Sequence, residues 1–352
     1  MTVAEPKRIA LVGSGLVGRR HVIAMGQTAR VRLASVVDPD ATAEAFAAEQ
    51  GVPWFPNLDD LFAHQDPDGV ILATPTPLHG DMGRICAAAG CPMLIEKPIT
   101  ATADDGQSLV ETAEAADVSI LVGHHRRHNP LVQQAHAQVA SGALGQVRAF
   151  HASCWLYKPD AYFADAPWRT QPGAGPVSVN LAHDIDLMRH LCGEVVSVVA
   201  RAAPSVRSFA NEDLAAAILE CENGVIGTLS VSDSTVGPWS WELTAKENPA
   251  YPATPESCYW IGGSKGALSL PDLRLWSFGD RDPDWWAPIS ATSMPVPQAD
   301  PLVAQLEHFA DVIGGTAEPL VSGREGLQTL RVIEAIQRST ATGEAVKLTP
   351  PS

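Results

Sequence analysis

Lys97 stands in Glu96-Lys97-Pro98, directly after the apolar run Pro92-Met93-Leu94-Ile95. That setting predicts an ammonium at the C-terminal end of a buried strand, the edge at which open α/β sheets bind ligands. A solvated loop lysine is the plainer reading of the tripeptide alone. The second residue with chemistry to offer is His183, in Asn180-Leu181-Ala182-His183-Asp184-Ile185-Asp186-Leu187. A helix here puts 183 and 186 on one face, while Leu181, Ile185 and Leu187 supply apolar contacts. Imidazole titrates near neutrality, so a neutral His183 can accept an alcohol proton and return it in the reverse direction. Packing in an amphipathic helix, with one hydrogen bond donated, is the alternative for the same residue. An ordinary lysine is too basic to take that proton, so Lys97 is assigned the stabilisation of a developing alkoxide.

Oxidation of a hydroxyl needs a hydride acceptor, and the N-terminal part of the chain offers a place for one. Arg8 to Val12 reads as a short strand running into Gly13-Ser14-Gly15-Leu16-Val17-Gly18, and a helical pattern follows from Arg19 to Met25. Strand, glycine turn and helix together form the context that a bare GxGxxG lacks. Gly13 allows the tight turn, Gly15 removes a Cβ that would block a pyrophosphate, and Gly18 lets helix and strand pack closely. The phosphates would meet the free amides of the helix N-terminus.

A second strand, Val31 to Val37, ends in Asp38, twenty residues past Gly18. A carboxylate there accepts the ribose hydroxyls and repels a 2′-phosphate, which favours NAD; Arg19 and Arg20 beside the same pocket keep NADP open. Asp38-Pro39-Asp40 also reads as a turn and helix cap. Further βα units run from Gly69 to Ala73 into Thr74-Pro75-Thr76-Pro77-Leu78-His79, from Met93 to Ile95 into Lys97, and from Val118 to Val122 into Gly123-His124-His125-Arg126-Arg127. Thr74, Pro75 and His79 are placed beside the cofactor, His79 with the alternative of capping or packing against its own helix. Ser14, Leu16, Val17, Glu96 and Lys97 complete the expected cofactor contacts.

After a helix from Asn129-Pro130 to Val139 or Ala140, the βα rhythm stops at Gly145-Gln146-Val147-Arg148. A polar and aromatic stretch, Trp155 to Arg169, precedes the His183 helix. Strand-like runs then follow at Val195 to Ala202, Leu214 to Cys221, Val225 to Val231, Trp239 to Ala245, Ser257 to Ile261 and Ala267 to Leu270. They predict a large, mainly antiparallel sheet with helices on one face. Pro249 to Pro255 and Arg281 to Ala299 read as loops, and helices return at Leu302 to Ile313 and Arg324 to Thr340. The fold class is therefore α/β, a Rossmann domain over 1–125, an α+β substrate-binding and oligomerisation domain over 126–300, and helices over 301–352 returning toward the first domain. Arg126, Trp155, Tyr162, Trp168, Arg169 and Asn180 join Lys97 and His183 as the expected substrate contacts. Aromatic faces with interspersed donors suit the C–H faces and hydroxyls of a ring sugar, and the two arginines suit a carboxylate; core packing or a subunit contact is the other use of such aromatics.

The composition narrows the alternatives. The 352 residues carry 24 Lys+Arg against 40 Asp+Glu, a formal charge of -16 that opposes attraction to nucleic acid or anionic membranes. With 45% hydrophobic and 18% charged residues the chain has the composition of a globular protein. The six cysteines show no CxxC and read as reduced, buried thiols. The N-terminal apolar run is too short for a signal peptide and no run reaches membrane-spanning length, so a cytoplasmic enzyme is expected. His79, His124, His125, His183, Asp184 and Asp186 match no zinc pattern, and no metal ligand is assigned.

In the order Gly13-Ser14-Gly15-Leu16-Val17-Gly18, Thr74-Pro75 with His79, Glu96-Lys97-Pro98, the Arg126-Arg127 turn and the His183 helix, the chain resembles the glucose-fructose oxidoreductase / inositol dehydrogenase family, Gfo/Idh/MocA. The resemblance covers nearly the whole chain. It implies that Lys97 and His183 are catalytic on a sugar, sugar acid or cyclitol, that the Lys97-Pro98 peptide is cis, and that the open sheet assembles a homodimer or homotetramer. One departure stands out: inositol dehydrogenases carry an aspartate four residues before this histidine, where this chain has Val179. Asp184, Asp186 or substrate groups are left to substitute. Three readings stay open: reversible NAD-dependent oxidation, which leads; a nonredox use of NAD in elimination, hydrolysis or epimerisation; and, from a different class, a cofactor-binding regulatory or sensor protein without turnover.

Overall fold

The computed structural model describes residues 5–295 and 299–349; residues 296–298 of the expected 281–299 loop, and the chain ends, lie outside the described residues. The chain forms two compact units, Met1–Asn129 with Ala299–Leu330 and Pro130–Gln298 with Arg331–Ser352.

The first unit is built on β1 (Lys7–Val12), β2 (Val31–Val37), β3 (Trp54–Phe55), β4 (Gly69–Leu72), β5 (Met93–Ile95) and β6 (Ile120–Val122), all parallel. β4, β5 and β6 are buried at every position, as continuous apolar runs must be when both faces of a sheet are covered. The order β3-β2-β1-β4-β5-β6 reverses between β1 and β4, which makes the C-terminal ends of those strands the switch point of the sheet. Gly13, Asp38, Ala73, Glu96 and Gly123 each follow a strand end there. Backbone bonds carry the ladder one residue past the strands, from Gly13 N to Val37 O (2.9 Å), Ala73 N to Val12 O (2.8 Å), Glu96 N to Leu72 O (2.9 Å) and Gly123 N to Ile95 O (2.7 Å). The late helix Pro301–Ile313, capped by Asp300, belongs to this unit. It lies so close to β4 that a Cβ on Gly69 would come within 2.7 Å of Ile313 and 3.0 Å of Phe309.

In the second unit the described residues form a sheet of β7 (Val147–Trp155), β8 (Val195–Pro204), β9 (Glu212–Cys221), β10 (Ile226–Ser232), β11 (Tyr259–Gly263), β12 (Gly266–Leu270), β13 (Arg274–Ser277), β14 (Ser290–Ser293) and β15 (Val346–Lys347). Its order is β14-β13-β12-β11-β7-β10-β9-β8-β15, and β7 with β10 is the parallel pair in an otherwise antiparallel sheet. β9 alternates strictly, with Ala215, Ala217, Leu219 and Cys221 buried and Leu214, Ala216, Ile218 and Glu220 exposed, the pattern of a sheet covered on one face. The helix Leu181–Cys192 packs on the covered face, where a Cβ on Gly227 of β10 would come 2.2 Å from the Met188 methyl. It ends at Gly193, whose φ of 111° few other residues adopt.

Three sequence expectations change. Trp239 to Ala245 is not a strand: Ser240 accepts the Leu243 amide and starts the short helix Trp241–Thr244, whose Trp241 is buried against Tyr259 at 5.2 Å. The aromatic that suggested a strand is a core contact. The expected loop 281–299 contains β14, whose four exposed residues pair with β13 through backbone alone and so leave no apolar alternation. β7, at the centre of the sheet, went unread because Ala149, Ala152 and Ser153 blur its alternation. The Pro249 to Pro255 loop and both late helices stand as read. All six cysteines are free and buried, and burial pushes the Cys91 and Cys221 thiols up to about 12.

Candidate active site

In the first unit the glycine loop has the shape its sequence implies. Gly13 has φ +90°, and a Cβ there would lie 2.6 Å from the Ala73 carbonyl oxygen; one on Gly18 would lie 2.0 Å from that of Gly13. At Gly15 a Cβ would meet nothing within 4 Å. Gly15 caps the helix Leu16–Met25 without a side-chain hydrogen bond, so no side chain competes for its first amides. An open cradle over uncapped amides fits a dinucleotide phosphate. Leu16 is 88% exposed beside it. Asp38 does two jobs, its Oδ2 accepting from Ser14 N (2.8 Å) and Ser14 Oγ (2.9 Å) and its Oδ1 from Asp40 N (3.0 Å). Arg19 donates to Ser14 O (3.0 Å) with its guanidinium 4.2 Å from the Phe46 ring, and Arg20 pairs with Asp300.

Lys97 follows β5, and the Lys97–Pro98 peptide is cis, as the family resemblance implied. The loop is pinned from both sides. Glu96 Oε1 meets Nε2 of the buried His21 at 2.7 Å, and its Oε2 accepts from Lys97 N at 3.2 Å. Burial pushes the Glu96 carboxyl up, but the hydrogen bond and charge of His21, with His125 and Lys97, outweigh it and bring it down to about 2. His79 is buried, its Nδ1 3.0 Å from Pro98 O and its Nε2 2.9 Å from Thr74 O. His79 thus ties the Thr74-Pro75 turn to the lysine loop. Thr74 Oγ1 rests 3.6 Å from Met82 Sδ. Arg126 is buried in the turn His125–His128 of this unit.

In the second unit His183 is 8% exposed on the helix Leu181–Cys192. Asp184 turns the other way: it is fully buried and takes the Tyr259 hydroxyl. The carboxylate next in sequence to His183 therefore serves the core. Tyr162 gathers the polar cluster. Arg169 lies 4.0 Å and Lys158 Nζ 5.1 Å from its ring, and Arg169 donates to Tyr162 O at 2.5 Å. Lys158 Nζ donates to Asn180 Oδ1 (2.8 Å) and stands 3.8 Å from Asp233, which Arg207 holds at 3.1 Å. Burial raises the Asp233 carboxyl above its ordinary range against the pull of these two cations. Trp168 is 57% exposed at the edge, its ring 5.8 Å from Arg169. The structure does not bring Trp155 here. It shares the parity of the exposed His151 on β7, opposite the buried Phe150, Ala152 and Cys154, and its indole donates to Ser230 Oγ at 2.9 Å.

Residues 7–124 match the family model described as "Oxidoreductase family, NAD-binding Rossmann fold", and residues 132–269 match "GFO/IDH/MocA C-terminal domain". The chain belongs to the Gfo/Idh/MocA family. Its first unit carries the NAD(H)- or NADP(H)-binding fold of this oxidoreductase family. The rhizopine catabolism protein MocA of Rhizobium meliloti is 31% identical over 53% of this chain, a match spanning 57% of that protein's length. Inositol 2-dehydrogenase of Rhizobium meliloti (strain 1021) is 26% identical over 97% of this chain and 99% of its own. Among solved structures, the WlbA dehydrogenase of Bordetella pertussis, in complex with NADH and UDP-GlcNAcA, aligns with a TM-score of 0.81 at 26% identity, over 98% of this chain and 100% of that one.

Within this Gfo/Idh/MocA fold, sequence reasoning passed over His21, Asp233 and Arg207. His21 sits one turn past the glycine loop, and a histidine on that helix could have been asked what it faces. Asp233 and Arg207 are distant from Lys158 in sequence and carry no signal that periodicity can detect.

Proposed function

We propose that this protein reversibly oxidises a secondary hydroxyl of a sugar, sugar acid or cyclitol, with NAD as the preferred acceptor. The observation that carries the reading is the polar and aromatic cluster of Lys158, Tyr162, Arg169 and Asn180 on the unit that bears His183. Donors set among aromatic faces suit a polyhydroxylated ring, and the inositol 2-dehydrogenase similarity over nearly the full chain points the same way. NAD, when bound, supplies the two-electron acceptor. Gly13, Gly15, Gly18 and the amides after them would hold its phosphates, and Asp38 its ribose. The preference over NADP rests on Asp38, and on Arg19 and Arg20 being engaged by Ser14 and Asp300. Lys97 stabilises negative charge growing on the substrate oxygen, and His183 takes the hydroxyl proton. The uncovered sheet face, whose aligned Val199, Ile218, Thr228, His151 and Trp260 run across β8, β9, β10, β7 and β11, would assemble a homo-oligomer.

A second reading, NAD-assisted elimination, hydrolysis or epimerisation, is favoured by Val179 in place of the carboxylate expected one turn before His183. Net NADH formation across a panel of cyclitols, sugars and sugar acids separates the two; product without net NADH supports the second. Lys97→Ala should lower kcat about a hundredfold or more while NAD affinity changes little, and His183→Ala should remove the neutral-pH limb of the rate profile. Equal loss of kcat and NAD affinity in Lys97→Ala would refute the role given to the lysine.

A further inference from the structure

Asn180 ends the short helix Pro176–Val179 and caps the helix Leu181–Cys192, one turn before His183 and on the same face. Its carboxamide has no intrinsic preference between its two ends, but Lys158 removes the ambiguity. An ammonium only donates, so the 2.8 Å contact from Lys158 Nζ requires Asn180 Oδ1 at that end and turns Nδ2 the other way. Lys158 is itself fixed: it is 7% exposed, 3.8 Å from Asp233 and 5.1 Å from the Tyr162 ring, and its backbone oxygen accepts from Arg207 at 2.8 Å. Asn180 is half-buried, and its Nδ2 has no acceptor among the described residues.

From this we infer that Lys158 is a positioning residue for substrate recognition, locking Asn180 as a donor that reads a second oxygen of the substrate, one helical turn from the proton acceptor His183. The ligand chemistry follows. Asn180 selects an acceptor oxygen, whether hydroxyl, ring or carboxylate, and discriminates against the same ring lacking it, because a site built around a fixed donor leaves that donor unpaired when the oxygen is missing. The inference rests on the sugar or cyclitol reading above and narrows it to substrates with at least two oxygens set for recognition.

The test is a cycle between variant and ligand. Binding to the NAD-loaded protein is measured by calorimetry, alongside turnover, for myo-inositol, D-glucose and D-glucuronate and for the monodeoxy analogues of each. In the unaltered protein one deoxygenation should cost about tenfold in affinity or kcat/KM. Asn180→Leu, which keeps the size but removes the donor, should make that same deoxygenation nearly neutral. Lys158→Met, which frees the amide to turn over, should lose most of the discrimination, and Lys158→Arg, which still only donates, should restore it. A purely structural Lys158 would lower affinity for parent and deoxy ligands alike, and that result overturns the inference, as does undiminished discrimination in Asn180→Leu. If none of the three sugars binds, the functional reading fails and this inference with it; binding without discrimination sinks the inference alone.

Discussion

Replacing Glu96 with glutamine keeps its shape and removes the charge that faces His21. Glu96 ionises at about 2 instead of 4.5, a depression that survives the opposing effect of burial because His21, His125 and Lys97 favour the carboxylate. A carboxyl whose pKa is lower in the folded chain stabilises it above the unfolded value of 4.5 and loses that stabilisation as pH falls through the folded one. The difference corresponds to about 3 kcal/mol at neutral pH. Glu96→Gln should therefore weaken the first unit by about 3 kcal/mol at neutral pH. Near pH ~3.5 the deficit should be smaller by about 1.4 kcal/mol, since the unaltered protein has by then lost part of the same contribution. Hydrogen exchange in peptides spanning β4 to β6 reports this unit separately from the other and gives the free energy at both pH values. A deficit below about 1 kcal/mol at neutral pH, or an equal one at both, would refute the account of Glu96 as a carboxylate held by His21, His125 and Lys97.

Three further substitutions probe other parts of the argument. Gly18→Ala sets a methyl 2.0 Å from the Gly13 carbonyl oxygen, so calorimetric titration with NAD should show at least about a tenfold loss of affinity, given a backbone shift worth ~1–3 kcal/mol; unchanged affinity would mean that the loop is not the phosphate cradle. Tyr259→Phe deprives the buried Asp184 of its hydroxyl partner and should cost roughly 2 kcal/mol in denaturant unfolding of the second unit, with little effect on NAD affinity. Ile218→Lys, on the uncovered sheet face, should lower the mass seen by analytical ultracentrifugation; an unchanged mass would place the interface elsewhere.

What the sequence showed well was local. Gly13, Gly15 and Gly18 sit at fixed offsets after an apolar strand, Asp38 at a fixed distance beyond them, and Lys97 directly after a buried run, so backbone shape and strand ends could be read without tertiary information. What it hid depends on partners far along the chain. The hold of Glu96 on His21 and on the Lys97 amide could not be read from its own tripeptide, because His21 lies far back along the chain. Lys158 reads as one polar residue among aromatics until Asn180 and Asp233 are beside it. Trp155 shows how one missed element spreads: its face follows from the alternation of β7, and without that strand its direction could not be derived. The helix taken for a strand at Trp241 is the complementary case, where a serine cap outweighed β propensity.

The first unit closes late in the chain's own order. Its parallel sheet is complete in sequence by Val122, yet Phe309 and Ile313, which press on Gly69, come nearly two hundred residues later. At ~5–20 residues per second, a ribosome takes on the order of ten seconds or more to travel from one to the other. Through that interval the nascent sheet has one apolar flank without its helix, while the whole of the second unit's sheet up to β14 is being made. This is therefore a chain for which a single cut between domains yields no intact Rossmann unit: a fragment ending at Asn129 lacks Pro301–Ile313 and leaves the Gly69 flank of the sheet uncovered.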